Sequence, residues 1–358
     1  MADVSGPLRG VKVVELGGIG PAPHTGMVLA DLGADVVRIR RPGDGTDDGR
    51  DLLQRGKRIV ELDAKRDAAT LLGLITKADV VLDGFRPGVC ERLGIGPQVC
   101  MAANRGLIFA RITGWGQDGP LAQTAGHDIN YLSQTGALNA IGDRDRPPVP
   151  PLNLVADFGG GSMFALLGIV AALYERERSG LGQVIDAAMV DGVGVLAQMH
   201  WKFKSANGMT DERQAGLLDG GSPFYRTYET ADGKFMAVGA IEPQFFAQLL
   251  EGLGLTADEV PAQRDHASFE RMRTIFAGRF ATKTRDQWAS VFAGTDACVT
   301  PVLSWTEAAD SEHMRVRASI IDHGGVWQAA PAPRFSRSRL AAVSTPPHAA
   351  TTLDAIGW

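Results

Sequence analysis

The first 112 residues switch repeatedly between two kinds of pattern. Short apolar runs at Val11–Leu16, Asp35–Arg40, Arg58–Leu62, Asp79–Gly84 and Leu107–Ile112 are separated by stretches of helical composition, such as His24–Leu32, which stops at Gly33. Strand, helix and strand in units of this length call for a parallel sheet with helices on both faces. The expected fold class is therefore α/β, with a Rossmann-like parallel-sheet large domain. Loops that follow the carboxyl ends of its strands are where ligands are expected. Gly43–Gly49, rich in Gly and Asp, reads as one such loop.

From residue 113 to 162 the pattern breaks into Gly- and Pro-rich stretches, TGWGQDGP, PPVPPLN and DFGGGS. A long apolar helix follows over about 161–178 and stops at SGLGQ. Within it, Met163–Tyr174 is too short to span a bilayer and reads as a buried helix. Further on, Phe224–Glu229 and Phe235–Ala240 flank Ala231-Asp232-Gly233, a hairpin signature, and two amphipathic helices are expected near 268–281 and 284–293. These mark a smaller α+β domain. The boundaries expected are 1–187 with 330–358 for the large domain, 188–225 and 313–329 for linkers, and 226–312 for the small domain.

Composition excludes several classes. Lys+Arg 36 against Asp+Glu 41 gives a net charge of −5, a poor match to nucleic acid or an anionic membrane. The 3 cysteines, Cys90, Cys100 and Cys298, show no metal spacing and no disulfide framework. Cys298 reads as a core residue. The sequence MADVSGPLRG lacks a secretory apolar region, and DAIGW carries no organelle tag, so the expected location is cytoplasmic. Glycine is abundant at 44 residues, which points to tight turns and close backbone approach to a ligand.

Four groups carry possible chemistry. ELGGIGPAP follows the first strand and opens a helix, the generic cradle for a phosphate-bearing ligand, yet it lacks the GxGxxG spacing of a dinucleotide site. The second strand ends in Arg38, Arg40 and Arg41, where a nicotinamide site would place an acid; these cations suit a ribose phosphate, in NADP or coenzyme A, or else form a solvated edge. His127, in Gly126-His127-Asp128-Ile129-Asn130-Tyr131, is either a general base in a loop or a cap. Asp157, ahead of three glycines, is an N-cap, a carboxylate acting beside a helix N-terminus, or both. Glu242 in GAIEPQF is an N-cap before Pro243 or the orienting partner of a histidine. His24 reads as a cap, Trp115 as a packing residue beside the site, and Asp191 as structural.

Several ordered blocks together resemble the family III CoA-transferases, and within them the racemase branch. These are VVELGGIGP, ADLGADVVRI, KADVVLDGFRPGVCERLG, RITGWGQDGP, AGHDINY, PPLNLVADFGGGSMF, GQVIDAAMVDG and VGAIEPQF, spread over nearly the whole chain. The resemblance implies the family III CoA-transferase fold and an interlocked homodimer. Its site would combine the large domain of one chain with the small domain of the other. It implies epimerisation of 2-methylacyl-CoA thioesters by a two-base 1,1-proton transfer. His127 and Asp157 would be the pair, Glu242 would orient His127, and the Asp157 amide would donate to the enolate oxygen. Coenzyme A is part of the substrate, and no separate cofactor or metal is expected. The expected CoA contacts are Ile19, Arg41, Leu62, Asp63, Ala64, Lys65, Gly84, Phe85, Arg86 and Arg92, with Gly126, Asp128, Ile129, Asn130 and Tyr131 along the thioester end. Asp157 also serves the competing reading, a CoA-transferase that uses it as nucleophile. An NADP-dependent dehydrogenase and a non-catalytic CoA-thioester binding protein are the remaining alternatives.

Overall fold

The computed structural model describes residues 6–44, 49–206, 208–340 and 342–358. The middle of the Gly/Asp-rich loop, residues 45–48, lies outside them. Two compact units emerge: one of Met1–Ala137, Pro151–Gln198 and Glu312–Trp358, the other of Leu138–Pro150 and Met199–Ser311.

The first unit is built on six parallel strands: β1 (Lys12–Leu16), β2 (Asp35–Arg40), β3 (Lys57–Glu61), β4 (Val80–Asp83), β5 (Ile108–Thr113) and β6 (Val184–Ala188). Their order is β3-β2-β1-β4-β5-β6. Helices α1 (Pro21–Asp31), α2 (Ala68–Ile75), α3 (Val89–Arg92), α4 (Pro97–Ala103), α5 (Asp128–Gln134), α6 (Met163–Ser179) and α7 (Met189–Leu196) belong to the same unit. Alternate residues of each central strand feed two cores. Val14, Leu16, Val37, Ile39, Val60 and Val81 join the core that includes Leu71, Ile75 and Phe109, while Val13, Val36, Val80 and Leu82 join the one that includes Leu29 and Ile169. Burial on both faces explains why apolar residues fill the middles of β1, β2, β4 and β5. Strand order reverses between β1 and β4, so their carboxyl ends diverge and leave the crevice in which open α/β sheets bind ligands.

Several expectations change here. β6 directly follows the SGLGQ helix stop, where no strand was expected; at the sheet edge its Val184 is exposed, so it lacks the two-sided apolar signature. Residues 189–196, at the start of the segment expected to be a linker, form α7, and 320–323 and 326–329, in the second expected linker, pair as an antiparallel hairpin of β10 and β11. The helix expected to be buried is buried on one side only: Ala165, Ile169 and Ala172 face the sheet, whereas Met163, Leu167, Val170 and Tyr174 are exposed. Among the described residues, the helical run Leu154–Ser179 is the one long and apolar enough to cross a membrane by length and composition.

The second unit has α8 (Gln198–Ser205) running into it. It contains an antiparallel sheet of β7 (Tyr225–Glu229), β8 (Phe235–Gly239) and β9 (Val299–Pro301) with α9 (Pro243–Leu253), α10 (Phe269–Phe280) and α11 (Arg285–Phe292). Its core is aromatic, with Phe224, Tyr228, Phe246, Phe269, Phe276, Phe280, Trp288 and Phe292 in one cluster. The loop 138–150 belongs to it through Arg213, which donates to the Arg146 carbonyl at 2.8 Å. Cys298 is exposed rather than buried: it sits at φ 53 between the buried Ala297 and Val299, and this left-handed turn points its side chain out.

Candidate active site

Two adjoining cavities open at the β1/β4 crevice. The first, about 830 Å³, is lined by Ile19, Arg38, Arg40, Arg41, Leu62, Asp63, Ala64, Lys65 and Phe85 among others. The second, about 680 Å³, is lined by Ile19, Gly84, Phe85, Arg86, Trp115, Gly126, His127, Asn130, Tyr131, Asn153, Asp157 and Met189 among others. Gly18, Ile19 and Phe85 line both. The shared floor depends on glycine: a Cβ at Gly84 would sit 2.9 Å from the Gly17 carbonyl and 3.1 Å from Gly18 Cα. Backbone meets backbone there, and any side chain would push the two strand ends apart.

The three arginines at the end of β2 do different work. Arg38, paired in register with Glu15, forms an ion pair with that buried carboxylate and donates to the Gly18 carbonyl at 3.2 Å. Lys57 reaches the same carboxylate from β3 at 2.7 Å and the Pro23 carbonyl at 2.8 Å. Arg40 pairs with Glu61 at 2.8 Å. Arg41 is exposed at the cavity rim, as is Lys65, and neither has an ion-pair partner among the described residues. The first cavity therefore presents cations at its mouth over a braced floor, which suits phosphate groups.

Asp157 is neither an N-cap nor at the start of a regular helix. It lies inside a π-helical segment, Leu154–Ser162, that precedes α6. Such wide turns are rare and concentrate at functional sites. This one is held from three sides. Asp128 Oδ1 accepts from the Ala156 and Asp157 amides at 2.8 and 2.7 Å. His24 Nδ1 bonds Ser162 Oγ at 2.6 Å, and its ring stacks on Phe158 at 4.5 Å. Gly160 lies against α7 so closely that a Cβ on Gly192 would come within 2.0 Å of the Gly160 carbonyl. His24 is thus an internal brace of α1 rather than a cap, and burial, then the nearby Lys57 and Arg55, push its pKa down.

The Asp157 carboxyl is half-buried. Burial raises its pKa, a hydrogen bond from Asn153 at 3.3 Å opposes that, the Asp128 carboxylate adds to the rise, and His127 subtracts. His127 is exposed toward the cavity at the N-cap of α5, where its own amide donates to Asn130 Oδ1 at 3.1 Å. Tyr131 packs edge-on to Trp115 at 4.8 Å and donates to the Gly126 carbonyl, closing the wall behind His127.

Most residues expected at the site line one cavity or the other. Ile19, Arg41, Leu62, Asp63, Ala64 and Lys65 line the first, and Gly84, Arg86, Gly126, His127, Asn130, Tyr131 and Asp157 the second. Three do not. Arg92, at the end of α3, is exposed and lines neither; its Nη1 lies over Gly88. Ile129 turns outward, 44% exposed. Asp128 is buried and bound to backbone, because helix geometry directs it away from the cavity that its neighbour His127 faces. The Asp157 amide, expected to receive an oxyanion, is already donating to Asp128. Glu242 is in the second unit, as the N-cap residue of α9; its carbonyl accepts from Phe246 at 2.9 Å. Asn153 was missed, although it stands within the PPLNLVADF block.

The sequence profile of CoA-transferase family III matches residues 8–351. An alpha-methylacyl-CoA racemase of Mus musculus is 51% identical over 334 residues, covering 92% of this chain and 87% of that protein. The protein of that name from Homo sapiens is 50% identical, covering 88% of this chain and 82% of its own. Among solved structures, a CAIB/BAIF family protein from Brucella suis superposes with a TM-score of 0.82 at 25% identity, covering 99% of this chain and 98% of that one.

Proposed function

This chain belongs to CoA-transferase family III, and from that premise we propose that it is an α-methylacyl-CoA racemase, interconverting the two epimers of 2-methylacyl-CoA thioesters. The observation that carries the reading is the pairing of His127 and a half-buried Asp157 in one cavity, adjoining a second cavity with cations at its mouth.

The α-hydrogen of a thioester is weakly acidic. Removing it requires a base on one face of the carbon and a hydrogen-bond donor for the enolate oxygen, and inversion requires an acid on the other face. His127 takes the proton from one epimer and Asp157 returns one to the opposite face; for the other epimer the roles exchange. Burial suits Asp157 to both roles, since a carboxyl with a raised pKa is a stronger base when ionised and is available as an acid closer to neutrality. With the Asp157 amide spent on Asp128, the enolate oxygen needs another donor. The amide of Asp128, the first residue of α5, has no acceptor among the described residues and lies next to His127 in the chain. Arg41 and Lys65 receive the phosphates of coenzyme A at the mouth of the first cavity. Coenzyme A is part of the substrate, and the reaction uses no further cofactor.

The working form is a homodimer, with His127 and Asp157 from one subunit and Glu242 of the partner subunit orienting His127. The exposed apolar face of α6 supports this: Met163, Leu167, Val170 and Tyr174 recur at helical spacing and are 40–68% exposed in the single chain. Three unpaired cysteines fit a cytoplasmic location.

The deciding experiment is incubation of one pure epimer of a 2-methylacyl-CoA in heavy water. The opposite epimer, carrying α-deuterium, is the expected product. Absence of both epimer and deuterium across several acyl chains overturns the reading. Transfer of CoA to a free carboxylate, with Asp157 as nucleophile, would then be the activity to measure.

A further inference from the structure

Asp128 follows His127 in the chain and carries the backbone of Asp157. Its side chain is buried, with the residue 5% exposed, and one oxygen, Oδ1, accepts both the Ala156 and the Asp157 amides at 2.8 and 2.7 Å. The other supports of the π-helical segment that come from distant elements act after Asp157, at Phe158, Gly160 and Ser162. His24 and Thr25 bond Ser162, and α7 packs on Gly160. Among the described residues, Asp128 is the one side chain that accepts from the segment's amides at 156 and 157. A carboxylate accepting two backbone amides is the strong, charge-assisted kind of hydrogen bond. It ties the α5 end that carries His127 to the turn that carries Asp157.

We propose that Asp128 is a positioning residue that sets the separation of the His127 and Asp157 side chains across the substrate's α-carbon. The inference rests on the reading of those two residues as the acid–base pair. A two-base inversion needs both groups within reach of one carbon, from opposite faces. Misplacement of one of them by about 1 Å can cost on the order of 10²-fold. The groups facing Asp157 are His127 and Asp128 from α5, Tyr131 on the same helix, Arg86 across the cavity and Asn153 in its own segment. Asp128 is the second anion of that set.

Two variants test it, each compared with wild type by epimerisation rate, α-deuterium exchange from either epimer, coenzyme A affinity by calorimetry and the pH–rate profile. Asp128→Ala leaves both amides without an acceptor, and kcat is expected to fall about 100-fold in both directions with coenzyme A affinity within threefold. Asp128→Asn keeps an oxygen acceptor but loses the charge. It guards against a failure of the alanine variant to fold. A roughly tenfold lower kcat is expected, as for the weaker neutral hydrogen bond. Its acid limb should move to lower pH, because an anion that raises the Asp157 pKa is gone. Wild-type turnover and pH profile in Asp128→Asn overturn the inference. So does a loss of coenzyme A affinity parallel to the loss of kcat, which marks general disruption. His127→Ala and Asp157→Ala are run beside them: if those stay active, the reading of the acid–base pair has failed, and if they are inactive while Asp128→Asn is normal, only the positioning role has.

Discussion

The two cavities share Gly18, Ile19 and Phe85 and differ in what their walls are made of. The first cavity, proposed to take the nucleotide, has long exposed side chains at its mouth, Arg41 and Lys65, above ion pairs buried in the sheet. The second cavity has Asp157, the proposed acid–base group, on a backbone segment that is fixed by Asp128, His24 and α7. One wall adapts and the other does not. Affinity for a large, flexible, polyanionic ligand tolerates adjustable cations, whereas proton transfer at a single carbon requires fixed geometry. Changes on the nucleotide side should therefore move KM, and changes on the other should move kcat.

The largest effect expected is from Asp157→Ala, which should lower kcat by roughly 10²–10⁴-fold, the usual contribution of a general acid–base group. Coenzyme A affinity should stay within threefold, and a large loss of affinity would break the division between the cavities. Next, Gly192→Ala drives a Cβ to 2.0 Å from the Gly160 carbonyl. Overpacking of this kind costs about 1–3 kcal/mol, measurable by urea unfolding, and the displaced π-helical turn should take kcat down with it while KM holds. Arg41→Ala should raise KM about tenfold at constant kcat, equivalent to about 1.4 kcal/mol. With a substrate lacking the 3′-phosphate, the difference between variant and wild type should vanish. The smallest effect is on pH dependence. In the direction where Asp157 is the base, activity requires its carboxylate. Because burial raises that pKa, the acid limb should lie above the ordinary carboxylate range. Asn153→Ala removes a hydrogen bond that lowers the pKa, so the limb should move further up. A limb that stays put would separate Asn153 from the proton's path.

The sequence was legible where local pattern and tertiary burial agree. β1, β2, β4 and β5 send residues into both cores, so apolar residues dominate each of them. β6 was not legible, because an edge strand with an exposed Val184 has no such two-sided pattern. Asp157, His127 and the first-cavity residues were recognisable from ordered blocks of sequence. The π-helical turn was not, since Gly159, Gly160 and Gly161 suit a loop equally well and the groups that hold the turn come from distant positions. Asp128 was read as a ligand contact because it adjoins His127. The first turn of α5 sends the two side chains different ways, which the motif itself does not record.

The outer edge of β3 is met by residues 351–358. Thr351 bridges Val60 and its amide reaches the Ile59 carbonyl at 2.7 Å, Arg58 donates to the Ile356 carbonyl at 3.0 Å, and Trp358 Nε1 reaches Asp35 at 2.6 Å. On the ribosome β3 emerges about 290 residues before its cover. Throughout that interval the nascent sheet offers an open edge to any passing strand, and such edges seed association. A version shortened before residue 350 should accumulate as aggregate.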